Sequence, residues 1–520
     1  MKRLISCVLA LLYIMAGFAS GTWILHGKEY RVDTLYHAYI GPGTTQTSIK
    51  LAGPVNLRVF YTTTDLKNEN VDVRAIKHKD TLTGLGTVSN AAESHSTSNR
   101  SYFAGINADF FSSSMPCGIT VVDGEVYCSD QASGWSLFGI DANKIPYSGG
   151  GDFYVKLTAP DYSTAELSAM NLERETNGLV LYSSRKGANT GTDGNGSEVV
   201  LIPDGEGNFL TPGATVRMRV QGNPNHAGSM PIPDNGYILS GSGTKESFVS
   251  NLSEGDEVEV RCAIRFNGFT GGKIQQALGG CPMLVSGGKV LDTENALDHL
   301  TSAQPRTAVG YNAEKNKLVM LVADGRSSIS VGPISKVLAD IMIYAGCSEA
   351  MNFDGGGSST FYVKGEGVIN QPSDGSERSV TDGLYLSTDA PQNDMTITTI
   401  RFMDYAKTLN QGDAYTPVIY GYNQYGVLVD RNVEGVTLSC GSSLGTITND
   451  GTTLNASGSG THMLTAGYGN LTTTLSVTVI GESGISSVDN SQALMIYPNP
   501  VEQGLSCSTG LMPYFSKYSS

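Results

Sequence analysis

Short apolar runs broken by glycine recur along nearly the whole chain, and this rhythm constrains the fold more than any other feature of the sequence. Residues 55–61, 71–77, 198–202, 215–220 and 257–266 each read as a strand bounded by turn formers. Glycine supplies 63 of 520 residues, well above the usual ~7%, as a protein full of turns and bulges requires. Helical periodicity is scarce. Residues 87–95 carry a weak helical pattern. Residues 334–345 carry a strong one, with Ile334, Val337, Leu338, Ile341, Met342 and Ala345 on one face, Pro333 at the start and Gly346 at the stop.

The stronger helix lies between two strand-like runs, 318–323 and 350–353, in the span of a strand–helix–strand unit. If the two strands are parallel, Asp324 and Asp354, just past their ends, emerge at one sheet edge, where such sheets usually bind ligands. Residues 102–106 follow the weaker helix and run into Asn107-Ala108-Asp109, a third acidic strand end. The composition changes near Asp389-Ala390-Pro391. Residues 395–480 then alternate in short strands like a small β-sandwich. Gln411-Gly412 and the closing run 473–479 resemble bacterial immunoglobulin-like repeats. The expected fold class is therefore α+β: a mixed, β-rich domain with few helices over 22–390, followed by a small immunoglobulin-like β-sandwich over 395–480.

The start of the chain points to export. Lys2 and Arg3 precede an apolar run from Leu4 to Phe18, and Gly17-Phe18-Ala19 places small residues before a cut at Ser20, so residues 1–20 read as a secretory signal. The expected location is secreted, periplasmic or cell-surface, with no transmembrane segment and with cell-envelope association open. The net charge of 34 − 49 = −15 argues against nucleic acid as partner. Cys117 and Cys128 flank two β runs around Asp123-Gly124, so their sulfurs either meet across a hairpin or stay as buried thiols. No CxxC spacing suggests zinc. Residues 481–520 form a tail in which 496–501 resembles the start of a Bacteroidetes-type sorting domain, cut short.

Three segments are dense in chemistry: Asn107-Ala108-Asp109-Phe110-Phe111; Pro305-Arg306-Thr307 with Ala323-Asp324-Gly325-Arg326; and Asn352-Phe353-Asp354-Gly355-Gly356-Gly357-Ser358, with Glu377-Arg378 after it. None of the seven histidines falls in them and no G-x-S-x-G elbow occurs, so a Ser-His-Asp hydrolase is poorly supported. Three glycines after a strand let a backbone approach a ligand and turn N–H groups toward an anion. Asp109, Asp324 and Asp354 would also suit calcium or magnesium. Each of these residues has a structural reading as well: a turn, a loop cap or a pairing with a neighbour. Phe110, Phe111 and Trp135 either stack on a sugar or fill the core.

In this order, and together with 236–241 and 279–285, these segments resemble the phosphodiester glycosidase family of the N-acetylglucosamine-1-phosphodiester α-N-acetylglucosaminidases. The resemblance spans most of 22–390. It implies an enzyme that cleaves a sugar-1-phosphodiester at the anomeric carbon. Asp109, Asp324, Asp354 and Glu377 are then the catalytic carboxylates. Arg306, Arg326 and Arg378, with Gly355, Gly356, Gly357 and Ser358, would hold the phosphate. Asn107 and Asn352 either contact sugar hydroxyls or stabilise turns. Two alternatives stay open: a phosphodiesterase acting at phosphorus, and a non-catalytic binder of cell-envelope glycans.

Overall fold

The computed structural model describes residues 21–131, 134–205, 209–267, 269–270, 272–292, 301–448 and 450–481. The signal reading of 1–20, the sorting-like tail and Cys507 lie outside them. Strands hold 49% of the chain and helices 7%, so the molecule is β-rich with few helices.

A nine-stranded sheet organises the part that matters here. Its central strands run Asn56–Asp65, Lys317–Ala323, Arg306–Tyr311, Glu349–Asn352 and Met283–Ser286, each antiparallel to its neighbour. Because Arg306–Tyr311 lies between them and opposes both, Lys317–Ala323 and Glu349–Asn352 run parallel to each other. Asp324 and Asp354 therefore leave at one edge, the same edge at which Arg306 begins its strand.

The run 318–323 is apolar without a break because the sheet is covered on both faces. Val319, Leu321 and Ala323 face one core with Leu57, Val59 and the helix residues Leu338, Ile341 and Met342. Leu318, Met320 and Val322 face the other core. Each such fully buried side chain contributes about 1.5–3 kcal/mol. The helix spans Ser335–Tyr344 with Ile334 at its N-cap, so Pro333 stands just outside the first turn rather than in it. It ends as expected at Gly346 (φ 98°): the Gly346 N–H donates to Ile343 O and the Cys347 N–H to Met342 O, closing the last carbonyls.

The second core is shared with a five-stranded antiparallel sheet. Its order is Gly367–Val368, Phe361–Val363, Ser101–Asn107, Asp382–Thr388, Asp72–Lys77. Ala104, Ile106, Leu384 and Leu386 pack there against Met320, Val322 and Met351. The acidic end at Asp109 thus comes from a different sheet, laid against the first. The weaker helix forms as expected over Val88–His95, with the Thr87 side chain capping Asn90 N–H.

A large sheet built mainly from residues 120–280 completes this part and encloses its own core. Residues 399–480 form three small sheets around a separate apolar cluster that includes Leu438, Leu464 and Val477. This unit is tied back by Tyr422 Oη donating to Tyr39 O at 2.8 Å and by an Arg431–Glu366 ion pair at 2.7 Å. Cys117 and Cys128 are both free thiols, so the hairpin disulfide is not made. The hairpin itself forms over Thr120–Val122 and Glu125–Cys128, but Cys117 lies before its first strand and Cys128 pairs with Thr120 instead. No helix among the described residues is long and apolar enough to cross a membrane.

Candidate active site

Backbone register builds the site. On the five-stranded sheet Asp382 lies directly opposite Lys77, and Gly383 opposite Asn107. The chain beyond Asn107 then turns so that the Asp109 N–H donates to Asp382 Oδ1 at 2.9 Å. Across the sheet junction, the Asp354 N–H donates to Ala108 O at 2.8 Å, and Asn107 Nδ2 donates to Asp354 O at 2.7 Å. Asn107 Oδ1 accepts from Thr307 Oγ1 and from Thr360 N–H. The Asn107 amide is therefore spent on locking the two sheets together, which favours its structural reading.

Asp109 and Asp382 form a buried acid pair, 1% and 0% exposed. Two glycines make room for the Asp109 carboxyl. The Gly118 N–H donates to Oδ2 at 2.8 Å, and a Cβ at Gly279 would stand 2.6 Å from Oδ2. Asp109 Oδ1 is buried with no hydrogen-bond partner. Burial, and then the Asp382 charge, push the Asp109 pKa well above the usual carboxylate range. Asp382 is also raised by burial, while the nearby Lys77 ammonium pulls it back. Lys77, wholly buried, donates to Gly84 O and Thr381 O. The half-buried Cys117 thiol lies near this pair and is pushed up to about 11, by burial first and then by Asp109.

Asp354 is half-buried. Burial raises its pKa to about 6, against the opposing pull of Ser358 and Arg378. The glycine turn follows it. The Gly356 N–H is used by Pro305 O, and the Gly355 N–H serves the Asp354 carboxyl. These two N–H groups thus serve the protein itself rather than an anion. What the glycines provide is room for cations. A Cβ at Gly356 (φ 61°) would stand 3.0 Å from Arg326 Nη2, and one at Gly357 would collide with Arg378 Nη2 and the Asp374 carboxylate. Arg326 and Arg378 are exposed above the turn. Arg306 is buried beneath it and donates to Ser302 O and Pro333 O. Burial, and then Arg326, lower its pKa to about 10.

The site therefore gathers Asp109, Asp354, Ser358, the three glycines, Arg326 and Arg378, with Arg306 behind. Other candidates stand apart. Asp324, pushed to about 6 by burial, accepts from Asn370 Nδ2 at 3.2 Å and Gln371 N–H at 2.9 Å. It anchors the loop that carries Arg378. Glu377 accepts from the N–H and hydroxyl of Ser89, in the first turn of the Val88–His95 helix. Asn352 Nδ2 donates to Cys281 O and Phe353 O. The calcium or magnesium suggested by Asp109, Asp324 and Asp354 lacks its cage: among the described residues no three His, Cys, Asp or Glu side chains are placed to share an ion. Phe110 and Trp135 are half-buried and meet edge to face at 4.9 Å, next to Asp109. Phe111 packs against the core behind the first helix.

Sequence reasoning missed Asp382 and Lys77. Lys77 reads as the end of the 71–77 strand, and Asp382 lies outside every segment singled out. The available signal was a charged residue at one end of each of two strands, Lys77 closing Asp72–Lys77 and Asp382 opening Asp382–Thr388.

Arg378 is held by Asp374 at 2.6 Å and donates to Ser358 Oγ at 3.4 Å. A Gly357→Ala chain has to displace the exposed ends of that pair rather than backbone. It should fold normally, losing less than ~1 kcal/mol in denaturant titration. It should also bind inorganic phosphate at least ~10-fold more weakly, since the guanidinium moves off the turn. Unchanged phosphate affinity would rule out Arg378 as a phosphate ligand.

Residues 211–387 match the family model of phosphodiester glycosidases. The match covers about a third of the chain. It includes the glycine turn, the three arginines, Asp324, Asp354 and Asp382, and it excludes Lys77 and Asp109. A curated relative, the SPbeta prophage-derived uncharacterized protein YomE of Bacillus subtilis (strain 168), is 40% identical over 88 residues, which is 17% of this chain and 13% of that protein's length. Among solved structures, a hypothetical protein from Synechocystis is 16% identical with a TM-score of 0.51, over 66% of this chain and 62% of that one. A protein from Burkholderia pseudomallei K96243 is 18% identical with a TM-score of 0.52, over 71% and 99%. These two likenesses show a shared fold. The zebrafish N-acetylglucosamine-1-phosphodiester alpha-N-acetylglucosaminidase catalytic domain aligns at 12% identity and a TM-score of 0.35, over 68% and 87%.

Proposed function

We propose that the protein is an exported hydrolase that cleaves sugar-1-phosphodiesters of the N-acetylglucosaminyl type at the glycosidic bond. The observation that carries this reading is the juxtaposition of two raised-pKa carboxyls, Asp109 and Asp354, with a glycine turn flanked by Arg326 and Arg378. Guanidinium groups hold a phosphate as a planar fork. Carboxyls whose pKa values burial has raised can exchange protons near neutral pH. In the reaction, water oxygen bonds to the anomeric carbon and a carboxylate takes its proton. The bond from that carbon to the bridging oxygen breaks, and its electron pair leaves with the phosphate monoester. The family match over 211–387 supports the same reaction class.

The test is sugar release from an α-N-acetylglucosaminyl phosphodiester in ¹⁸O-labelled water. Label in the sugar is expected. Label in the phosphate would instead mean attack at phosphorus, and no release at any pH would overturn the proposal. Export through residues 1–20, and an immunoglobulin-like identity for 395–480, belong to the same reading. N-terminal sequencing of the processed chain should begin at Ser20.

A further inference from the structure

We infer that a cavity of about 380 Å³, lined in part by Glu125, Ser184, Phe209, Asp234 and Asn235, binds a neutral saccharide unit. The inference does not rest on the hydrolase reading. The cavity is separate from the Asp109 cluster. None of its lining residues belongs to the Asp109–Asp382 pair or to the glycine turn. The volume falls within the ~300–1,000 Å³ typical of small-ligand sites.

The lining chemistry narrows the occupant. Glu125 is 8% exposed, and its Oε2 takes both bonds from Arg185, at 2.9 Å from Nε and 2.7 Å from Nη2. Its Oε1 accepts none from the described residues, and neither do the side chains of Ser184, Asp234 or Asn235 bond within them. The lining is therefore rich in free acceptors, which suits a ligand rich in hydroxyl donors. The Arg185 guanidinium beside Glu125 is already committed to it and stacked over Tyr127 at 4.9 Å. With Asp234 unpaired at the rim, an anion is disfavoured. On the other side, Phe209 is 47% exposed beside Ile202 and Pro203. An exposed ring and an aliphatic wall opposite carboxylate and amide acceptors match the two sides of a pyranose, one of C–H groups and one of hydroxyls.

Saturation-transfer NMR on the full chain, with glucose, galactose, N-acetylglucosamine and lactose as probes, tests this. At least one should bind at about millimolar strength, independently of salt. The surface changes Phe209→Ala and Asn235→Ala should each weaken binding about tenfold, and Asp354→Asn should leave it unchanged. Absence of any saccharide signal at ~20 mM would overturn the inference. So would affinity insensitive to Phe209→Ala, loss of binding in Asp354→Asn, or salt-sensitive displacement by spermidine, which would mark a cation site instead.

Discussion

An Asp354→Asn chain should release sugar roughly 10³-fold more slowly than the native chain and yet unfold at a higher temperature at pH 7. The two effects share one cause. The Asp354 pKa is raised from 3.8 to about 6, chiefly by burial, although Ser358, Arg378 and the Gly355 N–H all favour the ionised form. The folded state therefore binds this proton more tightly than the unfolded state does. The stability it contributes is fully present below about pH 4 and is lost as pH rises through 6. Above that, the ionised group costs the fold up to about 3 kcal/mol. Asparagine keeps the shape and carries no charge, so it removes this cost. The expected rise in Tm is about 3 °C at pH 7, vanishing near pH 4. The native pH–rate profile should bend near pH 6, and that bend should be absent from the residual activity of the variant. Native-like rates would remove Asp354 from the chemistry. A Tm difference that is the same at pH 4 and 7 would mean that its burial does not set its pKa.

Much of this site could be read before the fold was known, because its elements are local. The alternating faces of 318–323, the helical period of 334–345 and the acidic residues just past two strands are short-range patterns. They place Asp324 and Asp354 on one edge once the connection is a strand–helix–strand crossover. Three glycines after a strand could be read as a close approach, but the Gly355 and Gly356 N–H groups serve Asp354 and Pro305, and what the glycines make room for is Arg326 and Arg378. What the sequence concealed depends on long-range register. Asp382 acquires its meaning only because its strand pairs with both Lys77 and the segment leading to Asp109. Adjacency in sequence also misled. Glu377 and Arg378 are neighbours in the chain, but one turns to the N-terminus of a helix and the other to the glycine turn. Asp324 faces Asn370 and Gln371, so an acid at a strand end became an anchor for the arginine loop. Asn107 was ambiguous as a residue type. Only the three partners of its amide favour the structural reading.

That long-range register sets up the other large expected effect. Lys77→Met should destabilise the fold by about 3–5 kcal/mol at pH 7, because it leaves Asp382, buried beside Asp109, without the cation that favours its ionised form. Asp382→Asn should cost a similar amount, since it strands a fully buried ammonium. The double variant Lys77→Met/Asp382→Asn removes both charges together. Its cost should fall short of the sum of the single costs by more than ~1 kcal/mol. Low pH gives an independent check. When both carboxyls are protonated they no longer need a cation, so the Lys77→Met penalty should shrink below about pH 4, where even unshifted carboxyls take up protons. Guanidinium titrations of the four chains at pH 7 and pH 4 decide the matter. Additive costs at pH 7, or a Lys77→Met penalty that does not change with pH, would show that Lys77 holds Gly84 and Thr381 in place without acting on the acid pair.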